Sequence, residues 1–112
     1  MIARIWHGWT RPDDALAYEE LLRSEVLPGF TELEGYRGAH VLRRVEEGAG
    51  ADASGEVEVE FITITWFDSM EAVRAFSSDD DRGAVVPDRA RRLLERFDAD
   101  STHYEVVVTP EE

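Results

Sequence analysis

Cysteine, lysine, asparagine and glutamine are all absent from this chain of 112 residues. Without cysteine there is no disulfide, no thiolate nucleophile and no thiolate metal ligand. Without lysine, Schiff-base catalysis is excluded, and all 12 basic residues are arginines. Without asparagine or glutamine, no side-chain amide can hold an oxyanion or a peroxide. Long apolar runs are missing too, so no segment reads as a membrane span. The opening "MIARIWHGWT" lacks the apolar core and small-residue cleavage site of a secretion signal, and a cytoplasmic protein is the expectation. Positive charge is scarce: 25 acidic residues against 12 basic ones give a formal net charge of −13. That balance argues against nucleic acid and anionic membranes as partners, because both require a basic footprint.

What is present suits one folded domain over residues 1–112, since 43% of the residues are hydrophobic, enough for a core. Residues 2–10, rich in β-formers, predict a first strand. Thr10 or Arg11 then caps a helix with Pro12 in its first turn and Asp13 and Asp14 at its positive dipole end. Ala15, Tyr18, Leu22 and Val26, with Leu21 beside them, form its buried stripe, and Pro28-Gly29 ends it. A second strand (36–45) opens after Gly35, a polar hairpin loop covers 46–56, and a third strand covers 57–67. Asp68 and Glu71 read as a capping box for helix 69–77, which buries Met70, Val73 and Phe76. After an irregular stretch (77–86), Pro87 starts a short helix with Ala90, Leu93, Leu94 and Phe97 inward, and residues 102–109 form the last strand. The resulting order, β-α-β-β-α-β, is that of a ferredoxin-like α+β fold with an antiparallel sheet.

In that fold the helices cover one face of the sheet, and the other face is ordinarily polar. The third strand does not comply. Phe61, Thr63, Thr65 and Phe67 share one face, and Ile62, Ile64 and Trp66 share the other. Each of the latter three gains roughly 1.5–3 kcal/mol from burial, and together they would otherwise form an exposed apolar patch. A homodimer through Ile62, Ile64 and Trp66 is therefore expected.

The segments "PDDALAYEELL", "LEGYRGAHVLRR", "VEFITITWFDSMEAVRAF", "AVVP" and "HYEVV" together resemble the antibiotic biosynthesis monooxygenase-like family over essentially the whole chain. The resemblance implies a dimeric α+β barrel with sheets packed face to face and a ligand cavity between sheet and helices. It also implies a choice of activities: cofactor-independent oxidation of polycyclic phenols or anthrones to quinones, haem degradation, or isomerisation of small lactones. In that family a tryptophan two residues before a serine often lines the cavity. Counting back from Ser69 places Phe67 there and assigns Phe61, Thr63, Thr65 and Phe67 to the helix side. Quinone-forming and haem-degrading relatives commonly carry a first-strand asparagine inside the cavity; this chain has none, and the register adopted here puts Ile5 at that position. The relatives' iron-binding histidine comes from the second helical region, yet residues 69–97 hold no histidine, so haem ligation by that route is not expected.

Thr63 and Thr65 either orient a mostly apolar ligand or are β-formers in a filled core. The same register turns Ala3, Ile5, His7 and Trp9 toward the cavity. His7 on the first strand and His103 on the last are candidate bases for a phenol near neutral pH, and hydrogen-bonded structural histidines otherwise. None of the three histidines (His40 is the other) stands at a spacing typical of a metal site, so no metal is expected. Arg89, Arg92 and Arg96 fall at helical spacing, either as an anion clamp or as a solvated face pairing with the many acids. Asp79, Asp80 and Asp81 read as a solvated turn and helix cap.

The leading expectation is oxygenation of a small aromatic ligand without metal or organic cofactor. His7 or His103 would act as base, Thr63 and Thr65 as orienting hydroxyls, and Trp9, Phe67 and Phe76 as walls. The alternatives are an isomerase or cyclase on a similar ligand, which would not consume O₂, and a non-catalytic dimeric binding or accessory protein.

Overall fold

The computed structural model describes residues 1–44, 58–77 and 87–110. The loop expected over 46–56 and the Asp79–Asp81 turn lie outside the described residues, as does the 77–86 stretch beyond Ser77. Strand β1 spans Ile2–Thr10, β2 Tyr36–Arg43 and β3 Val59–Phe67, within two residues of expectation.

The helical segment after β1 is three kinds of turn rather than one helix. A 3₁₀ turn at Pro12–Asp14 leads into helix α1, Ala15–Leu21, and then a wide turn, Leu22–Val26, in which Leu27 N–H reaches back five residues to the Leu22 carbonyl at 2.9 Å. Two features favour the widening. Ser24 Oγ bonds the Glu20 carbonyl at 2.7 Å, competing with the backbone ladder, and Pro28 has no N–H with which to continue it. A last 3₁₀ turn, Pro28–Phe30, ends the segment. The buried stripe is as expected: Ala15, Tyr18 and Leu22 pack with Phe61 and Ala90, and Leu21 and Val26 lie against them.

Helix α2 spans Met70–Ser77, with Val73 fully buried. Its cap is Ser69, whose Oγ accepts the Ala72 N–H at 3.3 Å, and not Asp68. The Asp68 carboxylate instead holds both arms of the Arg37 guanidinium, which keeps it below the ordinary carboxylate range and keeps Arg37 above its usual value. Gly35, which precedes β2, has φ +84°, and a Cβ there would lie 2.5 Å from Ala72 Cβ. Glycine therefore lets the chain pass directly against α2.

The expected helix from Pro87 to Phe97 stops early. Helix α3 is Asp88–Leu93, after which the backbone extends (Leu94 φ −90°, ψ 133°) into strand β4, Leu94–Phe97. Strand β5 follows at Thr102–Glu105, shorter than the expected 102–109. β4 pairs with the C-terminal half of β1 and β5 with its N-terminal half. An open strand edge offers backbone partners that a longer helix would leave unpaired. Arg96 consequently sits on a strand and does not share a helical stripe with Arg89 and Arg92. The sheet is antiparallel throughout, ordered β2-β3-β1-β4 with β5 beside β4 on the β1 edge.

Pairing sets which side each residue faces, because directly opposed residues share a face. Arg4 opposes Thr65, Trp6 opposes Thr63 and Gly8 opposes Phe61, so the even residues of β1 lie on the helix side. Ile5 opposes Ile64 and His7 opposes Ile62, so the odd residues lie on the open side. The face assignment for β3 agrees with expectation, and that for β1 is reversed. Three side chains hid the reversal. Arg4 made the even face look wet although it is only 4% exposed, and Ile5 and Trp9 made the odd face look like core.

Candidate functional site

A cavity of about 60 Å³ lies between the helix side of the sheet and the helices. The wide turn after α1 supplies its Leu22 and Val26 wall, α2 supplies Phe76, α3 supplies Ala90, and the sheet supplies Arg4, Trp6, Thr63 and Thr65. Tyr18 and Ser101 complete the polar groups of the wall. The space is mostly apolar with a few directed polar groups, the usual composition of a small-molecule site. Its volume equals about two waters at roughly 30 Å³ each.

Tyr18 is 1% exposed. Burial pushes its hydroxyl up to about 12 despite an opposing hydrogen bond with Thr63. It is a neutral group at physiological pH, not a base. Arg4 lies with its guanidinium carbon 5.4 Å from the centre of the Phe76 ring, and its Nη1 is 2.7 Å from His103 Nε2. Arginine has no acceptor atom, so Nη1 donates, His103 accepts at Nε2, and the imidazole in this arrangement is the neutral Nδ1–H form. Trp6 is held by its Nε1–H, which donates to the Asp98 carbonyl at 2.7 Å.

The residues anticipated as a site therefore separate. Thr63, Thr65 and Phe76 line the cavity, and His103 stands behind Arg4 on the same side. Phe67 is on that side too, but it is fully buried among Tyr36 and Phe76 and is core rather than wall. His7 and Trp9 are on the open face. His7 Nδ1 lies 3.9 Å from a Glu60 oxygen and 3.7 Å from an Asp98 oxygen, and Trp9 carries the Arg96 guanidinium 3.8 Å over its ring while Arg96 pairs with Glu58. His7 and Phe67 cannot share a pocket, because the sheet lies between them. The position expected for Ile5 inside the cavity is filled by Trp6. Sequence reasoning missed Arg4, Trp6, Tyr18 and Ser101 as wall residues. The available signal was size complementarity on the even face, where Gly8 opposes Phe61 and Trp6 opposes Thr63.

Among the described residues, no group of three His, Asp or Glu side chains is placed to hold a metal ion, and no helix is long and apolar enough to cross a membrane.

The sheet order and the cavity under its helices define a ferredoxin-like α+β subunit. Solved structures share it over nearly the whole chain. A protein of Deinococcus radiodurans assigned as an antibiotic biosynthesis monooxygenase matches with a TM-score of 0.63 at 15% identity, covering 97% of this chain and 95% of its own. MhuD, a haem degrader of Mycobacterium tuberculosis solved with two haems in its active site, matches at 0.59 and 17% identity over 97% and 98%. Rv0793 of the same organism matches at 0.57 and 20% identity over 97% of each chain. No family profile and no curated protein sequence matches the chain. At these identities the likeness shows the fold alone: this chain shares the fold of these three proteins.

Proposed function

We propose that the chain is a homodimeric oxygenase of the antibiotic biosynthesis monooxygenase type, acting on a small aromatic molecule at the helix–sheet cavity without metal or organic cofactor. One observation carries this reading: in that fold, Arg4, Tyr18, Thr63, Thr65 and Ser101 gather at one mostly apolar cavity. The chemistry asks little of the protein. A deprotonated phenol or anthrone gives an electron to O₂; one oxygen atom ends as the new carbonyl and the other leaves as water, so no outside reductant is consumed. His103 is the histidine on the cavity side, and to act as base it must first release Arg4. Haem is a poorer fit than a phenol, since residues 69–97 offer no histidine.

The dimer in this proposal forms through the open sheet face, where Ile62, Ile64 and Trp66 lie beside Leu42 and Tyr104, about half exposed at 47% and 55%. Val107 and Val108, beyond β5, are 80% and 83% exposed. A second reading, a non-catalytic dimeric binding or accessory protein, is favoured by the cavity volume, well below the roughly 300 Å³ at which ligand pockets begin. Oxygen uptake with a panel of anthrones and hydroquinones tests the first reading. Uptake that is lost in Thr65→Val and kept in His7→Ala supports it. Substrate conversion without uptake points to an isomerase, and neither uptake nor conversion favours the accessory reading.

A further inference from the structure

Beside the helix–sheet cavity lies a groove of about 340 Å³. The sheet gives it Val41 and Phe61, the wide turn and the residue after it give Leu22 and Leu27, and Glu19 and Arg43 add charge. The two spaces share one side of the sheet. Val41 of the groove is the cross-strand partner of Thr63 of the cavity, and directly opposed residues share a face. The Phe61 ring of the groove lies 5.0 Å from the Tyr18 ring of the cavity. Leu22 and Leu27 line both spaces and form the partition between them. Leu22 is 6% exposed and packs with Tyr18 and Phe61, which fixes it. Leu27 is only partly buried, and its N–H closes the wide turn on the Leu22 carbonyl. Single wide turns of this kind are frequent at functional sites, and side chains that reach the surface change rotamer in picoseconds to nanoseconds. The charges of the groove are matched: Arg43 pairs with Glu19 at 2.6 Å, and Arg23, which also lines it, pairs with Glu20 at 2.9 Å. Ions that satisfy one another leave no charge over to select an ionic ligand.

We propose that the cavity and the groove are two compartments of one binding site, spanned by a single neutral, mostly apolar molecule. Its narrow end enters the cavity, its broad body fills the groove, and Leu27 is the movable side of the partition it crosses. The proposal rests on the reading that the cavity binds a small molecule. Size agrees: about 60 Å³ holds only the end of a ligand, whereas the groove alone passes the roughly 300 Å³ at which ligand pockets begin. Affinity then comes from apolar area buried on Val41, Phe61, Leu22 and Leu27, with the polar groups of the cavity orienting the narrow end.

The test uses N-phenyl-1-naphthylamine, a neutral molecule of two ring systems joined by one nitrogen, whose fluorescence rises when it leaves water. The wild-type protein is expected to bind one molecule per chain. Val41→Trp fills the groove and Ala90→Leu fills the cavity, and each is expected to weaken binding at least about tenfold. Leu27→Ala, which shortens the partition, is expected to speed association at least about threefold in stopped flow. Weakening in Ala90→Leu alone overturns the spanning site and leaves the cavity reading standing. Weakening in Val41→Trp alone overturns both, because the molecule then sits in the groove without the cavity. No binding to the wild-type protein also overturns both, and an unchanged association rate in Leu27→Ala overturns the movable partition. If Ala90→Leu does not fold, a crystal structure of the wild-type complex decides. Electron density for the probe crossing between Leu22 and Leu27 supports the proposal, and density confined to one compartment overturns it.

Discussion

Replacing Tyr18 by phenylalanine should change how stability depends on pH, in a direction and by an amount that follow from its burial. Tyr18 is 1% exposed and its hydroxyl is bonded to Thr63. Near neutral pH the loss of that bond should cost about 1 kcal/mol. In alkali the comparison shifts. The Tyr18 hydroxyl is pushed up to about 12 in the folded chain, against 10.0 for an unperturbed tyrosine. Between those values the unfolded state binds fewer protons than the folded one, so the Tyr18 contribution is complete below the unfolded value and declines as pH rises. From pH 9 to pH 11 the decline amounts to about 1 kcal/mol, the logarithm of the ratio of the two ionisation factors times RT. Tyr18→Phe lacks this loss, so the wild-type advantage at pH 9 should close or invert by pH 11. Tyr36, also raised by burial, is present in both proteins and cancels in the difference. The composition makes the window unusually clear, because there is no lysine or cysteine to titrate in it and no asparagine or glutamine to deamidate. Urea unfolding at one protein concentration, followed by tryptophan fluorescence at both pH values, is the assay. Parallel profiles for the two proteins would refute the reasoning and show that the Tyr18 hydroxyl is open to water.

Trp66→Glu should turn the proposed dimer into monomer or aggregate, because it places a charge in a desolvated apolar face; an unchanged mass in light scattering would show that this face is not the interface. Gly35→Ala should destabilise the fold by about 1–3 kcal/mol through its positive φ and its clash with Ala72. Adding Ala72→Gly should restore only the contact part, and an unaltered melting temperature in the single variant would contradict the tight approach. Phe67→Ala removes a fully buried ring and should cost about 3–5 kcal/mol in thermal or urea unfolding. A loss under about 1 kcal/mol would mean that Phe67 belongs to an open site rather than to core.

The sequence by itself determined the order and type of the main elements, the helix-side face of β3 and the apolar character of both sheet faces. Period-two alternation and helical spacing are local properties, and Ala15, Tyr18 and Leu22 display them with little interference. Only the tertiary structure decided the face of β1. Both sets of its residues are bulky or apolar, so alternation is silent, and the choice rests on pairing with β3, where Trp6 fits opposite Thr63 and Gly8 opposite Phe61. The same holds for Leu94–Phe97, whose inward spacing suits a helix until the free edge of β1 offers it backbone partners. His7 and Trp9 left the cavity, and Arg4 entered it, for this one reason. A strand's register is a property of two strands, and a single stretch of sequence does not contain it.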